Sequence, residues 1–177
     1  TSRPVGGNTA GQAEAFAREI QIAIDDLEAS GHGFSGFLFC PTFANEGLAN
    51  VPQDCMQPAA KVSHAAGGIL IADEVQPGFG RSGDTWWGHD WLGLSPDVVT
   101  LGKPMANGHP VAAVVARAEV MAAFRNAFGY FNTFGGNPVS CAAAAATLDV
   151  IENCLFYASD APDHLPPFPP GAAVLAL

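Results

Sequence analysis

The sequence predicts an α/β fold, in which a mainly parallel sheet lies between two layers of helices. Segments with helical periodicity alternate along the chain with short, wholly apolar runs, which are typical of strands buried on both faces. These runs occupy residues 37–40, 69–72, 98–101 and 111–116. The chain has 177 residues, of which 49% are hydrophobic, so it can bury a substantial core. We therefore predict one three-layer α/β domain.

The first predicted helix spans residues 9–30. Asn8 or Thr9 can cap its N-terminus, and Gly31-His32-Gly33 ends it. Its apolar residues recur at helical spacing: Ala15, Phe16, Ile20, Ile24 and Leu27.

Three further helices are predicted at residues 58–66, 118–128 and 139–152, and the last of them is rich in alanine. The connecting segments 42–57, 78–91 and 129–138 carry Gly, Pro and Asn or Trp without either period, so we predict loops there.

Composition changes after Asn153. Four of the five residues 166–170 are proline, which excludes a helix or a central strand at that point. The sequence therefore divides into a domain at residues 1–153 and an atypical proline-rich tail at residues 154–177.

The net charge and the cysteine content limit the classes of partner and binding site that can be expected. The formal net charge is −10 with only seven basic residues, too few to form a phosphate-tracking stripe, so no nucleic-acid partner is expected. No run approaches eighteen uninterrupted apolar residues, and no membrane partner is expected. The four cysteines and five histidines lack metal-ligand spacing, so no metal site is predicted. A reducing, cytoplasmic location fits this cysteine usage.

An acid and a lysine follow two of the apolar runs. Asp73 comes directly after the run 69–72, and Lys103 lies thirty residues later, just after the run 98–101. Alone, Asp73 could be a turn cap and Lys103 a solvated surface residue. Together they are what pyridoxal phosphate chemistry requires, since the amine can form a Schiff base with an aldehyde and the carboxylate can keep a pyridine nitrogen protonated. Groups at the carboxyl ends of parallel strands also share one edge of the sheet.

Three segments carry a resemblance to a known family. Residues 69–83, with Asp73-Glu74-Val75-Gln76, resemble the cofactor strand and loop of class III (omega-type) aminotransferases. Residues 100–110 around Lys103 are similar to the Schiff-base segment of that family, and residues 130–138 to its later glycine-containing loop. The three motifs follow the family's order, and the match covers residues 9–152.

The resemblance implies the large domain of a fold type I transferase that depends on pyridoxal 5′-phosphate. Lys103 would form the Schiff base and shuttle the proton, and Asp73 would pair with the pyridine nitrogen. Val75 would pack on the ring, and Gln76 would bind the ring hydroxyl. Thr133 would bind the cofactor phosphate across the interface of a homodimer with shared active sites.

The implied reaction is amino-group transfer between an amine or amino acid and a 2-oxo acid. One alternative on the same scaffold is a phospholyase acting on amino-alcohol phosphates. A non-catalytic fragment or dimerisation partner is the other alternative. It is open because the family's upstream phosphate-cradling turn and C-terminal domain have no counterpart in these residues, and Cys40-Pro41 stands where many members have Glu-Pro.

Overall fold

The computed structural model describes residues 9–48, 51–83, 85–153 and 172–176. Within these residues the chain forms five α-helices and five strands. The helices are α1 (Thr9–Ala29), α2 (Gln57–Ala65), α3 (Gly88–Trp91), α4 (Ala118–Ala127) and α5 (Pro138–Asn153). The strands are β1 (Gly36–Phe39), β2 (Ile69–Asp73), β3 (Val98–Leu101), β4 (Ala113–Arg117) and β5 (Ala172–Ala176). The predicted helices and strands agree with these bounds to within two residues, except that α3 and β5 were not predicted.

The strands form one sheet in the order β1-β2-β3-β4-β5. β1 pairs with β2 and β2 with β3 in parallel, whereas β4 is antiparallel to both of its neighbours. Four of the five described strands therefore run in one direction, which confirms the predicted mainly parallel α/β sheet. β4 reverses because only turns separate Leu101 from Ala113, and a parallel return requires a longer crossover, usually a helix.

β5 is a departure from the predicted tail. Residues 172–176 pair antiparallel with β4 at the edge of the sheet. This strand has only five residues and follows the proline cluster, so neither periodicity nor composition marks it. Residues 154–171 and 177 of the predicted tail lie outside the described residues, and the division at residue 153 stays a prediction.

Helices pack on both faces of the sheet, as a three-layer fold requires. On one face, Leu70 and Ala72 of β2 pack with α1 and α2. Val99 and Leu101 of β3 lie on the same face, where Leu148 and Ile151 of α5 contact their cluster. On the other face, α4 supplies Met121 and Phe124, which pack with Val98 and Ala116. Leu38 of β1 points to this second face and is 61% exposed, so α4 covers that face only in part.

The largest apolar cluster joins α1 and α2 to the sheet. Phe16, Ile20 and Ile24 of α1 are buried at the spacing that places them on one side of the helix. Met56 and Cys55, just before α2, are fully buried in the same cluster. Burial, with Asp54 nearby, raises the pKa of the Cys55 thiol to about 12, so this thiol stays protonated at neutral pH. Cys55 is therefore a core residue without the reactivity of a thiolate.

Helix α1 ends where glycine permits a left-handed backbone. Gly31 and Gly33 have φ values of 78° and 74°. The N–H groups of His32 and Gly33 both donate to the carbonyl of Leu27, which satisfies an acceptor of the last turn. The predicted helix, which ends at Ser30, is thus one residue longer than the observed one. Within the described residues, none of the helices is both long and apolar enough to span a membrane.

Asp97 ties the starts of β2 and β3 to the end of β4. Its carboxylate accepts the N–H of Leu70 at 2.7 Å, Nε of Arg117 lies 3.0 Å away, and Nε2 of His64 lies 3.1 Å away. Its backbone N–H donates to the Leu70 carbonyl, and its carbonyl accepts the N–H of Arg117. This side chain is only 12% exposed, so solvent cannot readily replace these partners.

Replacing Asp97 with alanine should lower the free energy of unfolding by about 1–3 kcal/mol, because the Leu70 N–H loses its acceptor and Arg117 loses its ion pair. Urea denaturation followed by circular dichroism measures the change. Asp26→Ala, at an exposed site on α1, is the matched control and should stay within about 0.5 kcal/mol of the parent. Equal stabilities of Asp97→Ala and the parent protein would contradict this role.

Candidate active site

Asp73 is the last residue of β2, and its register partner on β3 is Thr100. One carboxylate oxygen, Oδ1, accepts the Val75 N–H at 3.1 Å and the Thr100 hydroxyl at 3.2 Å. The other oxygen, Oδ2, has no hydrogen-bond partner among the described residues. Asp73 is half-buried. Its carboxylate is therefore held by two donors at the carboxyl edge of the sheet and keeps one oxygen for a ligand.

Lys103 lies at the same edge, two residues after the end of β3. Its neighbour Gly102 is buried, and a Cβ at that position would lie 3.4 Å from Val75 Cγ2. The absence of a side chain at Gly102 thus lets Val75 pack against the backbone that leads into Lys103. The lysine itself is exposed, although its strand is buried. The structure therefore brings Asp73, Val75 and the Lys103 segment together.

A cleft of about 600 Å³ opens beside Lys103. Phe79 and Arg81 form one part of its wall, Asn107 lies in the turn after Lys103, and α5 supplies Thr147 and Val150. The turn is tight: the Met105 N–H donates to the Gly102 carbonyl at 2.8 Å, and Asn107 has a left-handed φ of 47°. Gln76 is half-buried on the turn between Val75 and this wall, and among the described residues Asp73, Val75 and Gln76 lie beside the cleft without lining it.

Thr133 lies elsewhere. It is exposed in the loop between α4 and α5, and its neighbours Asn132 and Phe134 line a separate cleft of about 630 Å³. The Asn132 side-chain oxygen accepts the N–H groups of Phe134 and Gly135, at 3.2 and 3.0 Å, and so holds the loop in a turn. Within the described residues, Thr133 is not part of the wall of the Lys103 cleft.

His109 joins the Lys103 loop to α5 through a structural hydrogen bond. The Ser140 hydroxyl donates to the Pro110 carbonyl at 3.0 Å, so its oxygen accepts from His109 Nε2, also at 3.0 Å. The Asn137 amide donates to the same oxygen. Because the hydroxyl proton is engaged with a backbone carbonyl, this His–Ser contact fixes the loop position and does not activate the serine.

Glu74 is a residue that the sequence did not single out. Its side chain is fully buried, although it lies between Asp73 and Val75. The carboxylate accepts the N–H of Gly88 at 2.9 Å, the N–H of His89 at 2.8 Å and Nδ1 of His89 at 2.7 Å. It therefore joins the turn after β2 to the start of α3. The sequence could have indicated this burial, because side chains alternate between the two faces at the end of a strand, so two adjacent acids there point in opposite directions.

The buried Glu74 also affects its surroundings. Burial raises the pKa of Asp90, and the negative charge of Glu74 raises it further, while His89 acts in the opposite direction. Trp87, beside this cap, packs edge-on against Phe79 with ring centroids 5.2 Å apart. Trp86, Trp87 and Phe79 share a core cluster with Val99 and Leu101. The described residues of the segment 78–91, which was predicted as a loop, are thus anchored to the sheet by one carboxylate and three aromatic side chains.

Comparison with known proteins identifies the family. The profile of the family "Aminotransferase class-III" matches residues 5–161. The chain belongs to this family. The chain is 42% identical, over 138 residues, to "Alanine--glyoxylate aminotransferase 2-like" of Drosophila melanogaster. This match covers 77% of the chain and 28% of that protein. The chain is 38% identical, over 140 residues, to "Ethanolamine-phosphate phospho-lyase homolog 1" of Caenorhabditis elegans, covering 78% of the chain and 30% of that protein.

A solved structure of a phospholyase from Arthrobacter in complex with phosphoethanolamine superposes with a TM-score of 0.76. The two chains are 45% identical, and the match covers 81% of this class-III chain and 34% of the other. The predicted family and fold class are therefore confirmed. The chain spans about a third or less of the length of these relatives.

Replacing Glu74 with glutamine should lower the free energy of unfolding by about 2–4 kcal/mol, because an amide NH₂ would face donors that now reach a carboxylate. Thermal and urea denaturation measure this loss. Glu14→Gln, at an exposed site of α1, serves as the control and should have little effect. A Glu74→Gln protein as stable as the control would show that the cap contributes nothing to folding.

Proposed function

We propose that the protein to which this class-III chain belongs transfers an amino group between an amine or amino acid and a 2-oxo acid, with pyridoxal 5′-phosphate as cofactor. One observation carries the proposal: Asp73 ends β2, Lys103 follows the adjacent parallel strand β3, and Val75 packs against Gly102, the residue before Lys103. A carboxylate, a primary amine and an apolar side chain at one sheet edge match the needs of a pyridine ring that bears an aldehyde.

The polar and apolar groups at this edge of the sheet suit the cofactor. Asp73 Oδ2 is available to accept a hydrogen bond from the protonated ring nitrogen. Oδ1 keeps its hydrogen bonds from the Val75 N–H and the Thr100 hydroxyl. A charge-assisted hydrogen bond there would keep the nitrogen protonated. Val75 offers an apolar surface for one face of the ring, and Gln76 offers an amide for the ring hydroxyl. When bound, the cofactor supplies an electron sink for charge that develops on the substrate carbon.

Lys103 has two tasks in this proposal. Its Nζ would hold the cofactor, and the same amine would move a proton at the substrate carbon. An exposed lysine on a tight turn can serve both tasks, because its flexible stem reaches into the cleft while the turn fixes its Cα. The buried strand behind it and the Glu74 cap keep Asp73 and Val75 from shifting relative to that Cα.

A second candidate reaction is elimination of phosphate from an amino-alcohol phosphate. It is favoured by the similarity to the Arthrobacter phospholyase and to the C. elegans phospho-lyase homologue. Both reactions would use Lys103 and Asp73, and they differ in which substrate bond breaks. A transaminase requires a 2-oxo acid as acceptor, whereas a phospholyase releases inorganic phosphate without one.

The sequence contains two lysines, Lys61 and Lys103, which makes an internal control possible. Pyridoxal phosphate followed by borohydride should label Lys103 well below the concentration that labels Lys61, which is exposed on α2. Peptide mass spectrometry measures both. Asp73→Asn should weaken labelling of Lys103 by about tenfold or more, through loss of a charged hydrogen bond. Equal labelling of the two lysines would favour the non-catalytic alternative.

Purified protein of the full gene then separates the two reactions. Amino transfer that stops when the 2-oxo acid is omitted supports the transaminase. Phosphate release from an amino-alcohol phosphate without any acceptor supports the phospholyase.

We also propose a homodimer, in which Thr133 binds the cofactor phosphate of the partner's site. Support comes from the loop that carries Thr133, which exposes several aromatic side chains, because exposed apolar patches mark interaction sites. Phe131 is 84% exposed and Phe134 78%, with Phe128 and Tyr130 beside them. A hydroxyl next to two such side chains would become part of an interface if a second copy covered them.

Sedimentation equilibrium should therefore give twice the mass of the chain. Phe131→Ser and Phe134→Ser should each raise the dissociation constant by about tenfold or more, because each ring loses apolar burial. Leu38→Ser, at an exposed position on the opposite end of the sheet, is the control and should leave the dissociation constant unchanged. A parent chain that sediments as a monomer would refute the proposal.

A further inference from the structure

As far as the structure describes the chain, the wall of the Lys103 cleft carries two positive side chains and no negative one. Arg81 and Lys103 both line it, and no Asp or Glu does so in the described part of the chain. This is unusual for a protein with seventeen acidic and seven basic residues. The remaining wall is polar at Asn107 and apolar at Phe79 and Val150. The cleft is therefore a local positive site on an acidic protein, and such a site concentrates anions.

Arg81 is held in place without being neutralised. Its Nη2 donates to the Val75 carbonyl at 2.6 Å, which ties the guanidinium to the residue that also packs on Gly102. Among the described residues Arg81 forms no ion pair with a carboxylate. Arg117, by contrast, is paired with Asp97 at 3.0 Å. Within the described residues the charge of Arg81 is thus left for a ligand, while the bond from Nη2 fixes the direction of the side chain.

The backbone that delivers Arg81 is strained. Phe79 has a φ of 64° and Gly80 a φ of 72°, and a left-handed conformation is costly for a residue with a large side chain. The buried Phe79 ring, packed edge-on against Trp87, offsets this cost, and the Gly80 N–H donates to the Trp86 carbonyl. A loop held in this way places Arg81 at the cleft, whereas an unstrained turn would follow a different path.

We propose that Arg81 is the anion-binding residue of this cleft, and that it recognises a carboxylate or phosphate on the molecule that reacts at Lys103. A guanidinium presents parallel N–H donors that match both groups. The anion could belong to the cofactor, as its phosphate, or to the amine substrate, as its carboxylate or phosphate. The inference deepens the proposed function and rests on it.

The test compares aldehydes that differ only in whether they carry an anion. Lys103 Nζ attacks the aldehyde carbon and water leaves, and borohydride then reduces the C=N bond to a stable secondary amine. Pyridoxal phosphate and pyridoxal form one pair of probes, and glyoxylate and acetaldehyde form the other. For each pair, mass spectrometry gives the ratio of concentrations at which half of Lys103 is labelled.

The parent protein should prefer the anionic member of at least one pair, and Arg81→Gln should reduce that preference by about tenfold. Arg18→Gln, at an exposed site of α1, is the matched control and should keep it. A loss confined to the pyridoxal pair assigns the anion to the cofactor. A loss confined to the glyoxylate pair assigns it to the substrate. Unchanged preferences in both pairs would overturn the proposal.

Two further measurements keep the outcome decisive. Arg81→Lys retains the positive charge but not the paired N–H donors, so this variant should show an intermediate preference for the anionic aldehyde. If circular dichroism shows that Arg81→Gln is unfolded, Arg81→Lys takes its place in the test. If Lys103 labels no better than Lys61 in the parent protein, the proposed function fails by itself. Binding of inorganic phosphate, followed by calorimetry, then decides the anion site: saturable binding lost in the Arg81 variant supports it, and no binding overturns it.

Discussion

The parallel pairing of β2 with β3 is the constraint on which the candidate site depends. It sets Asp73 opposite Thr100, whose hydroxyl donates to the Asp73 carboxylate, and it places Lys103 just beyond the same edge. A shift of one residue in this pairing would move Asp73 to the other face of the sheet, because side chains alternate along a strand. At the opposite end, Asp97 holds the starts of both strands by backbone and side-chain bonds. The register is therefore secured away from the site, and the edge where chemistry is proposed stays open.

Glu74 fixes the position of the segment after β2, which forms one wall of the Lys103 cleft. It is adjacent to Asp73, yet it serves the opposite purpose, because its carboxylate is fully buried and saturated by donors from Gly88 and His89. One acid faces the site and the next faces the core, as the alternation of side chains at the end of a strand requires. The wall that this cap supports carries Phe79 and Arg81 into the cleft. The anion site that we propose thus depends on a residue that no ligand would touch.

The surface of the sheet and loops is unevenly covered. α1, α2 and α5 bury one face, while α4 reaches only part of the other and leaves Leu38 in solvent. Phe131 and Phe134 are similarly exposed on the loop before α5. The exposed rings of Phe131 and Phe134 are the surface on which the second copy that we propose would pack. The proposed role of Thr133 requires such a partner, since the described residues leave it apart from the Lys103 cleft.

Local sequence by itself determined the α/β class, four of the five described strands, and the candidate pair Asp73 and Lys103. These follow from periodicity, from apolar run length and from residues placed directly after strands, all of which depend on near neighbours in the chain. Tertiary structure alone decided the reversal of β4, the presence of β5, the burial of Glu74 and the direction of Arg81. Each of these rests on contacts between residues far apart in sequence, such as Glu74 with His89 or β4 with β5. Patterns within a short window cannot show which distant group will satisfy a buried carboxylate or a strand edge.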